Sequence, residues 1–313
     1  MNSRRLVLWA LIVSMWGSGA VAGSPVPVFV SIEPQRYFVE RIGGERVRVS
    51  VFVPPGADPH SYEPRPRQMA ELSRAAVYFA IGIDFEKAWM EKIATANPRM
   101  PIVATDRGVE KIALPAHVHA DGHRHRTAAK TSSRGRLHTH GADGGHGHVH
   151  DDGLDPHIWL SPALVRIQAA HIRDGLIAVD PDHRARYEAG YASFLEEIER
   201  LDAELRALFA GREGARFLVF HPSWGYFARD YGLEQRAIEV EGKEPKPARL
   251  EEVIRFARQE GIRAVFVQPQ FSTRSAEAVA RGIGGKVIPV DPLAADWAEN
   301  LRRAAGRLRE ALP

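Results

Sequence analysis

The sequence predicts an α/β protein of two lobes, each around a parallel sheet, joined by one long helix. Three observations carry that expectation. The chain has 313 residues, more than one hydrophobic core usually organises. Short β-branched runs alternate with helix-like segments in both halves, as in strand–helix–strand units. Between the halves a helical pattern runs from Pro181 to about Phe209, roughly 40 Å at ~1.5 Å per residue.

The first residues read as an address. Arg4 and Arg5 precede the apolar run Leu6–Trp16, and a small-residue stretch ends in Ala20-Val21-Ala22. This is the order of a cleavable secretory signal, and the run falls short of the ~20 apolar residues that span a bilayer. Residues 1–22 are therefore expected to be a signal peptide, with the mature protein soluble in the periplasm.

Val28–Ile32 and Val47–Val53 read as strands from their β-branched content. Val77–Ile81 and Ile102–Ala104 are shorter candidates, and Pro66–Ala76 is helix-like with Met69 and Leu72 inward. From about Ala116 to Gly153 the chain is His, Gly, Asp and Arg with almost no large apolar residue, so it cannot form a core and is expected to be a disordered loop. Ser161-Pro162 then supplies an N-cap and a first-turn proline. Val165, Ala169, Ile172, Leu176 and Val179 make one buried helix face. Asp180-Pro181 repeats the capping signal before the long helix. Its apolar stripe is Tyr187, Tyr191, Phe194, Ile198, Leu201, Leu205 and Leu208, and Gly211 and Gly214 end it. In the second half Phe217–Phe220, Ala264–Val267 and Lys286–Val290 are strands, while Arg249–Gln259, Arg274–Arg281 and Ala295–Ala311 are helices. The expected division is a first lobe over 23–180, a linking helix over 181–210 and a second lobe over 211–313.

Composition excludes several classes. The formal charge is +3, or +1 without Arg4 and Arg5, so there is no excess for nucleic-acid binding. Cysteine is absent, which removes disulfides, thiolate nucleophiles, Cys-zinc sites and a lipid-modified N-terminal cysteine. Histidine is the anomaly: of 14, those between His117 and His150 crowd into the low-complexity loop.

In parallel α/β sheets ligands bind beyond the carboxyl ends of the strands. Four polar residues stand at or near such places. His60 follows the second strand within Pro54-Pro55-Gly56-Ala57-Asp58-Pro59-His60. His157 precedes the Ser161 helix. His221 directly follows Phe217–Phe220, and Asp291 directly follows the last strand. Two come from each half, so facing lobes would bring them together. Three imidazoles and a carboxylate suit Zn²⁺, because nitrogen donors disfavour Ca²⁺ and Mg²⁺. Taken singly, a histidine is more often a hydrogen-bonded structural residue, which is the reading for His171 and His183.

The segments Gly56-Ala57-Asp58-Pro59-His60-Ser61-Tyr62-Glu63-Pro64, Asp155-Pro156-His157-Ile158-Trp159-Leu160-Ser161-Pro162 and Phe220-His221-Pro222-Ser223-Trp224-Gly225-Tyr226-Phe227, with Gln268-Pro269-Gln270-Phe271-Ser272 and Val290-Asp291-Pro292-Leu293, resemble metal-contacting segments of one family. It is the metal-specific solute-binding proteins of ABC uptake transporters, and its zinc branch in particular. The resemblance covers nearly the whole mature chain in order. It implies two lobes on a single rigid helix, His60, His157 and His221 as metal ligands, and Zn²⁺ as the transported ligand rather than a catalytic cofactor. Manganese-selective relatives typically carry a carboxylate at the third position, so His221 points to zinc. Some zinc members place a Glu immediately before the first ligand; Pro59 stands here, which shifts the fourth ligand toward Asp291, with water as the alternative. Many relatives have Glu-Pro-Gln where this chain has Gln268-Pro269-Gln270. The implied partner is the membrane permease of a zinc ABC transporter, with a periplasmic zinc chaperone as a further candidate, no nucleic acid, and a monomeric state. A zinc hydrolase is the competing class, but the chain has no His-Glu-x-x-His helix and no obvious general base beside these motifs. A secreted metal buffer or adhesin is the third class, against which the two-lobe plan and the missing lipid anchor argue.

His117, His119, His123, His125, His138, His140, His146, His148 and His150 fall mostly in pairs two apart. Such pairs can share a metal, but without a scaffold each site loses ordering entropy on binding, so they are expected to be weak secondary sites. Zinc-branch relatives carry similar loops at this place. Deleting His117–His150 is expected to lower the number of zinc ions seen by native mass spectrometry and to leave one tight site. Loss of the tight site in that deletion would show that the primary ligands lie in the loop.

Overall fold

The computed structural model describes residues 24–114, 153–239 and 244–312. The expected signal peptide and the histidine-rich loop lie outside the described residues. Among the described residues no helix is long and apolar enough to cross a membrane.

Two four-stranded, wholly parallel sheets form the frame. The first takes β1 (Val26–Val30), β2 (Val47–Val51), β3 (Val77–Ala80) and β4 (Ile102–Ala104) in the order β2-β1-β3-β4. Its crossovers carry α1 (Glu33–Gly43), α2 (Pro66–Leu72) and α3 (Asp84–Ala96). Two helices follow, α4 (Pro162–Val179) and α5 (Arg184–Phe209). The second sheet repeats the first topology: β5 (Arg216–Val219), β6 (Glu234–Ala237), β7 (Ala264–Val267) and β8 (Lys286–Pro289) lie in the order β6-β5-β7-β8, with α6 (Gly225–Asp230), α7 (Pro247–Gln259) and α8 (Arg274–Gly282) between them. The chain ends in α9 (Trp297–Ala311).

Most expected elements are present within two residues of their bounds, and the differences have physical causes. Residues 52 and 53, expected in the second strand, still bond to Val30 and Ser31 but lie beyond its formal end. The edge strand β6 reads Glu-Gln-Arg-Ala, too polar for a strand signal, because one long edge of it faces no neighbour. Ser161 caps α4 as expected, its Oγ accepting from Leu164 N–H at 3.2 Å. Asp180 does not cap the next helix. Its carboxylate instead accepts from Arg46 Nε at 2.8 Å, Tyr187 Oη at 2.5 Å and His183 Nδ1 at 3.0 Å, tying the long helix to the start of β2. Arg46 and these donors hold Asp180 far below the usual carboxylate range. The first residues of the expected long helix, Pro181–His183, form a 3₁₀ turn ahead of α5. On α5 the stripe ends on buried Phe209 and leaves Leu208 36% exposed, since 209 continues the four-residue step from 201 and 205.

One core spans both halves. Val28, Phe38 and Tyr78 of the first belong to the same buried cluster as Phe217, Phe227 and Trp297 of the second. Helix α5 is its spine, packed by α4, α1 and α9. Trp297 of α9 stands edge-on to Phe38 of α1, centroids 5.1 Å apart, and Phe194 of α5 closes the group. A second cluster fills the far side of the second sheet beneath α7 and α8.

At Gly190 α5 lies close against α1: a Cβ there would stand 2.2 Å from the Ile42 carbonyl oxygen. Backbone cannot yield as a flexible side chain can, so Gly190→Ala is expected to destabilise the protein by about 1–3 kcal/mol. Denaturant unfolding measures this; an unchanged midpoint would contradict the close helix approach.

Candidate metal centre

The three histidines meet. His60, in the loop after β2, His157, just before the 3₁₀ turn Ile158–Leu160, and His221, two residues past β5, offer ring nitrogens that all lie within 4.8 Å of one another. His221 Nε2 is 3.2 Å from His60 Nε2 and 3.2 Å from His157 Nε2. His157 and His221 are buried, whereas the His60 side chain keeps 24% of its surface exposed.

Each ring is turned by a carboxylate. His60 Nδ1 lies 2.7 Å from Asp84 Oδ2 at the start of α3. His157 Nδ1 lies 2.7 Å from Asp155 Oδ1, and His221 Nδ1 lies 2.7 Å from Glu239 Oε1 just past β6. An ionised carboxylate only accepts, so each Nδ1 carries the proton and donates. In a neutral ring so held, Nε2 is a bare lone pair. The two short Nε2–Nε2 distances are therefore not hydrogen bonds between neutral rings but lone pairs gathered into one small space. A tetrahedral ion with Zn–N near 2.0–2.1 Å sets its nitrogens about 3.3 Å apart; the observed 3.2 Å matches.

Backbone and stacking contacts hold the rings further. The tripeptide Asp-Pro-His occurs twice, and in both copies the aspartate Oδ1 accepts the histidine's backbone N–H: Asp58 from His60 at 3.0 Å and Asp155 from His157 at 2.9 Å. Gln268, after β7, accepts from His221 N–H through Oε1 at 3.3 Å, and its Nε2 donates to the His221 carbonyl at 2.8 Å and to Ser223 Oγ at 2.9 Å. The amide thus bridges a donor and an acceptor that an ionised Glu could not serve together. Phe271 stacks on the His221 ring at 4.9 Å.

Asp291 is not in the three-histidine group. Its Oδ1 accepts from Leu293 N–H and from Gln270 Nε2, both at 2.9 Å, while Oδ2 has no hydrogen-bond partner among the described residues. His171 and His183 stand apart as expected, bonded to the Arg107 carbonyl and to Asp180. The nine histidines of the loop lie outside the described residues. Sequence reasoning missed Asp84, Asp155, Glu239 and Gln268 as orienting groups; for Asp155 the repeated Asp-Pro-His was an available signal.

Electrostatics divides the cluster. Burial is the largest influence on His157 and lowers its pKa to about 4, against the pull of Asp155. Burial also acts to lower His60, but the hydrogen bond and charge of Asp84, with Asp58 and Glu239 beyond, outweigh it and leave His60 raised. The His60 hydrogen bond in turn lowers Asp84 to about 2.

The family model for the zinc-uptake complex component A, periplasmic, matches residues 28–311. A crystal structure of ZnuA is 42% identical, with TM-score 0.78 over 92% of this chain and 99% of that one. A ZnuA deletion mutant with zinc bound is 44% identical, with TM-score 0.77 over 92% and 98%. The zinc-binding protein AdcA of Streptococcus pyogenes serotype M3 is 27% identical over 277 residues, 87% of this chain. This chain spans 51% of that relative's length.

In the metal-free protein His60 is expected to take up a proton above the ordinary histidine pKa, while His157 stays neutral down to about pH 4. Imidazole NMR titration reads both. Titration of His157 near the ordinary value would show that its ring is not sealed from water.

Proposed function

The chain belongs to the zinc-uptake complex component A family, and from that premise we propose that it captures Zn²⁺ between its two sheets in the periplasm and delivers it to the permease of an ABC importer. The observation that carries this reading is the convergence of three Nε2 lone pairs, each with its Nδ1–H committed to a carboxylate. Three nitrogen donors favour zinc over magnesium, calcium or manganese. The same commitment favours holding an ion over catalysis: the carboxylates nearest the rings orient imidazoles and are not placed as free bases for a metal-bound water. Residues 1–22 are the export signal in this reading, and the protein acts as a monomer. Zn²⁺ is cargo, bound by His60, His157 and His221.

The fourth ligand in this proposal is Asp291 through Oδ2, the oxygen its turn contacts leave free. Anchoring of Oδ1 at Leu293 and Gln270 fixes the carboxylate plane and leaves Oδ2 as the oxygen available to an ion. The four ligands then come from segments that follow or precede regular elements of both halves.

Chelator competition on the purified mature protein tests the site. His60→Ala, His157→Ala and His221→Ala are each expected to abolish tight binding, and Asp291→Ala to weaken it clearly. Asp155→Ala, which frees the His157 ring without touching the ion, should cost about 10–100-fold in affinity. Tight zinc binding that survives all three histidine changes would sink the assignment. Growth of a deletion strain under zinc chelation, compared with its parent, separates import from mere buffering.

A further inference from the structure

The segment that carries His157 belongs to the first half by sequence, where Asp155 N–H bonds the Ile112 carbonyl, and runs directly into α4, yet four of its hydrogen bonds cross to the second half. Tyr226 Oη donates to the Asp155 carbonyl at 2.7 Å. Ser161 Oγ donates to the Asp230 carboxylate. Trp159 Nε1–H donates to the Pro292 carbonyl at 2.7 Å, and the Trp159 carbonyl accepts from Trp297 Nε1–H at 2.7 Å. Trp159 and Trp297 are almost fully buried, so both indole N–H groups would be costly to leave unpaired.

The partners of these bonds matter. Pro292 is the residue after Asp291. Trp159 is two residues after His157, and its ring lies 5.2 Å from the His157 imidazole. The indole therefore spans from the backbone beside one metal-site residue to the backbone beside another, across the two halves of the chain. The Asp291 turn is held at its other points by Leu293 N–H on Oδ1 and by Asn300 Nδ2 of α9, which donates to the Asp291 carbonyl at 2.6 Å. Helix α9 is fixed in turn by Trp297 against Phe38 and Phe194.

We propose that Trp159 is a positioning residue for the zinc site: through its N–H on the Pro292 carbonyl it sets the Asp291 carboxylate at a fixed distance from His157. The inference rests on the reading of Asp291 as fourth ligand. Trp159 touches no ion and acts only through the carbonyl of Pro292, the residue next to Asp291. With that bond in place, the turn cannot drift from His157 without stranding a buried N–H and a buried carbonyl. Without it, Leu293 and Asn300 still shape the turn, but it is referred to the His157 segment only indirectly, through α9, whose Trp297 bonds the Trp159 carbonyl.

Trp159→Phe keeps most of the aromatic volume and deletes the N–H. It is expected to weaken zinc binding by about tenfold in chelator competition, in the range seen when supporting contacts of metal ligands are lost. The visible absorption of the Co²⁺-loaded protein should change in the same direction as in Asp291→Ala. The decisive measurement is a double-mutant cycle: in an Asp291→Ala background the further change Trp159→Phe should cost nothing more in affinity. Trp89→Phe, partly buried on α3, should leave both zinc affinity and the Co²⁺ spectrum unchanged. An equal loss from Trp159→Phe in both backgrounds would make Trp159 a general packing residue and overturn the proposal, as would no loss in either. If Asp291→Ala alone binds zinc as the parent does, with an unchanged Co²⁺ spectrum, the reading of Asp291 as a ligand fails instead. Should Trp159→Phe not fold, Asn300→Ala releases the same turn from α9 and enters the same cycle, with the same additive result overturning the idea.

Discussion

Three imidazole lone pairs gathered within 4.8 Å of one another repel, and the rest of the site holds them there. Each ring has a way out, by rotating or by tautomerising so that one Nε2 becomes a donor. Asp84, Asp155 and Glu239 close it, because each fixes the proton on Nδ1 and the ring plane together. Their charges also lower the potential at the centre, which favours a cation there. Two of the three are almost fully buried, where an ionised carboxylate is tolerated only with donors in place.

The fold delivers these groups with little extra machinery. Both sheets have the same strand order, and their carboxyl ends supply His60 after β2, Asp84 after β3, His221 after β5, Glu239 after β6 and Gln268 after β7. Histidine and orienting carboxylate thus come from loops at one end of the same sheet, on strands either side of β1 for His60 and Asp84 and on adjacent strands for His221 and Glu239. His157 is the exception. It lies between the sheets and carries its own aspartate two residues earlier, so its geometry is set locally by the Asp-Pro-His turn.

This division explains what the sequence could reveal. The three histidines were legible from the segments around them, which resemble metal-contacting segments of one family; taken singly, each would have read as a structural residue. The parallel sheets were legible from β-branched runs such as Ala264–Val267, buried on both faces. Asp84 and Glu239 were not, since their partners lie 24 and 18 residues away and meet them only in the folded sheets. Strand β6 escaped because an exposed edge does not require apolar residues. Asp180 reads as a cap by composition, but the nearby Arg46 guanidinium is a stronger partner than a helix amide, and tertiary structure overrode the local preference. Asp291 shows the same competition in milder form: one oxygen takes the turn-capping role common before Pro-Leu, and the other is left over.

The shared core bears on how such a site discriminates. Two lobes joined only by a helix would close on a ligand and could adjust their ligand distances to ions of different size. Here Phe38, Phe194 and Trp297 bind α1, α5 and α9 into one aromatic group, and Trp159 and Trp297 hydrogen-bond across the halves. A large apolar interface of this kind opposes wide relative motion. With His157 and His221 buried and their rings locked by carboxylates, the nitrogen spacing is a property of the folded chain before any ion arrives. Preorganisation of this sort places selectivity in distance and donor type, both fixed, rather than in the degree of closure.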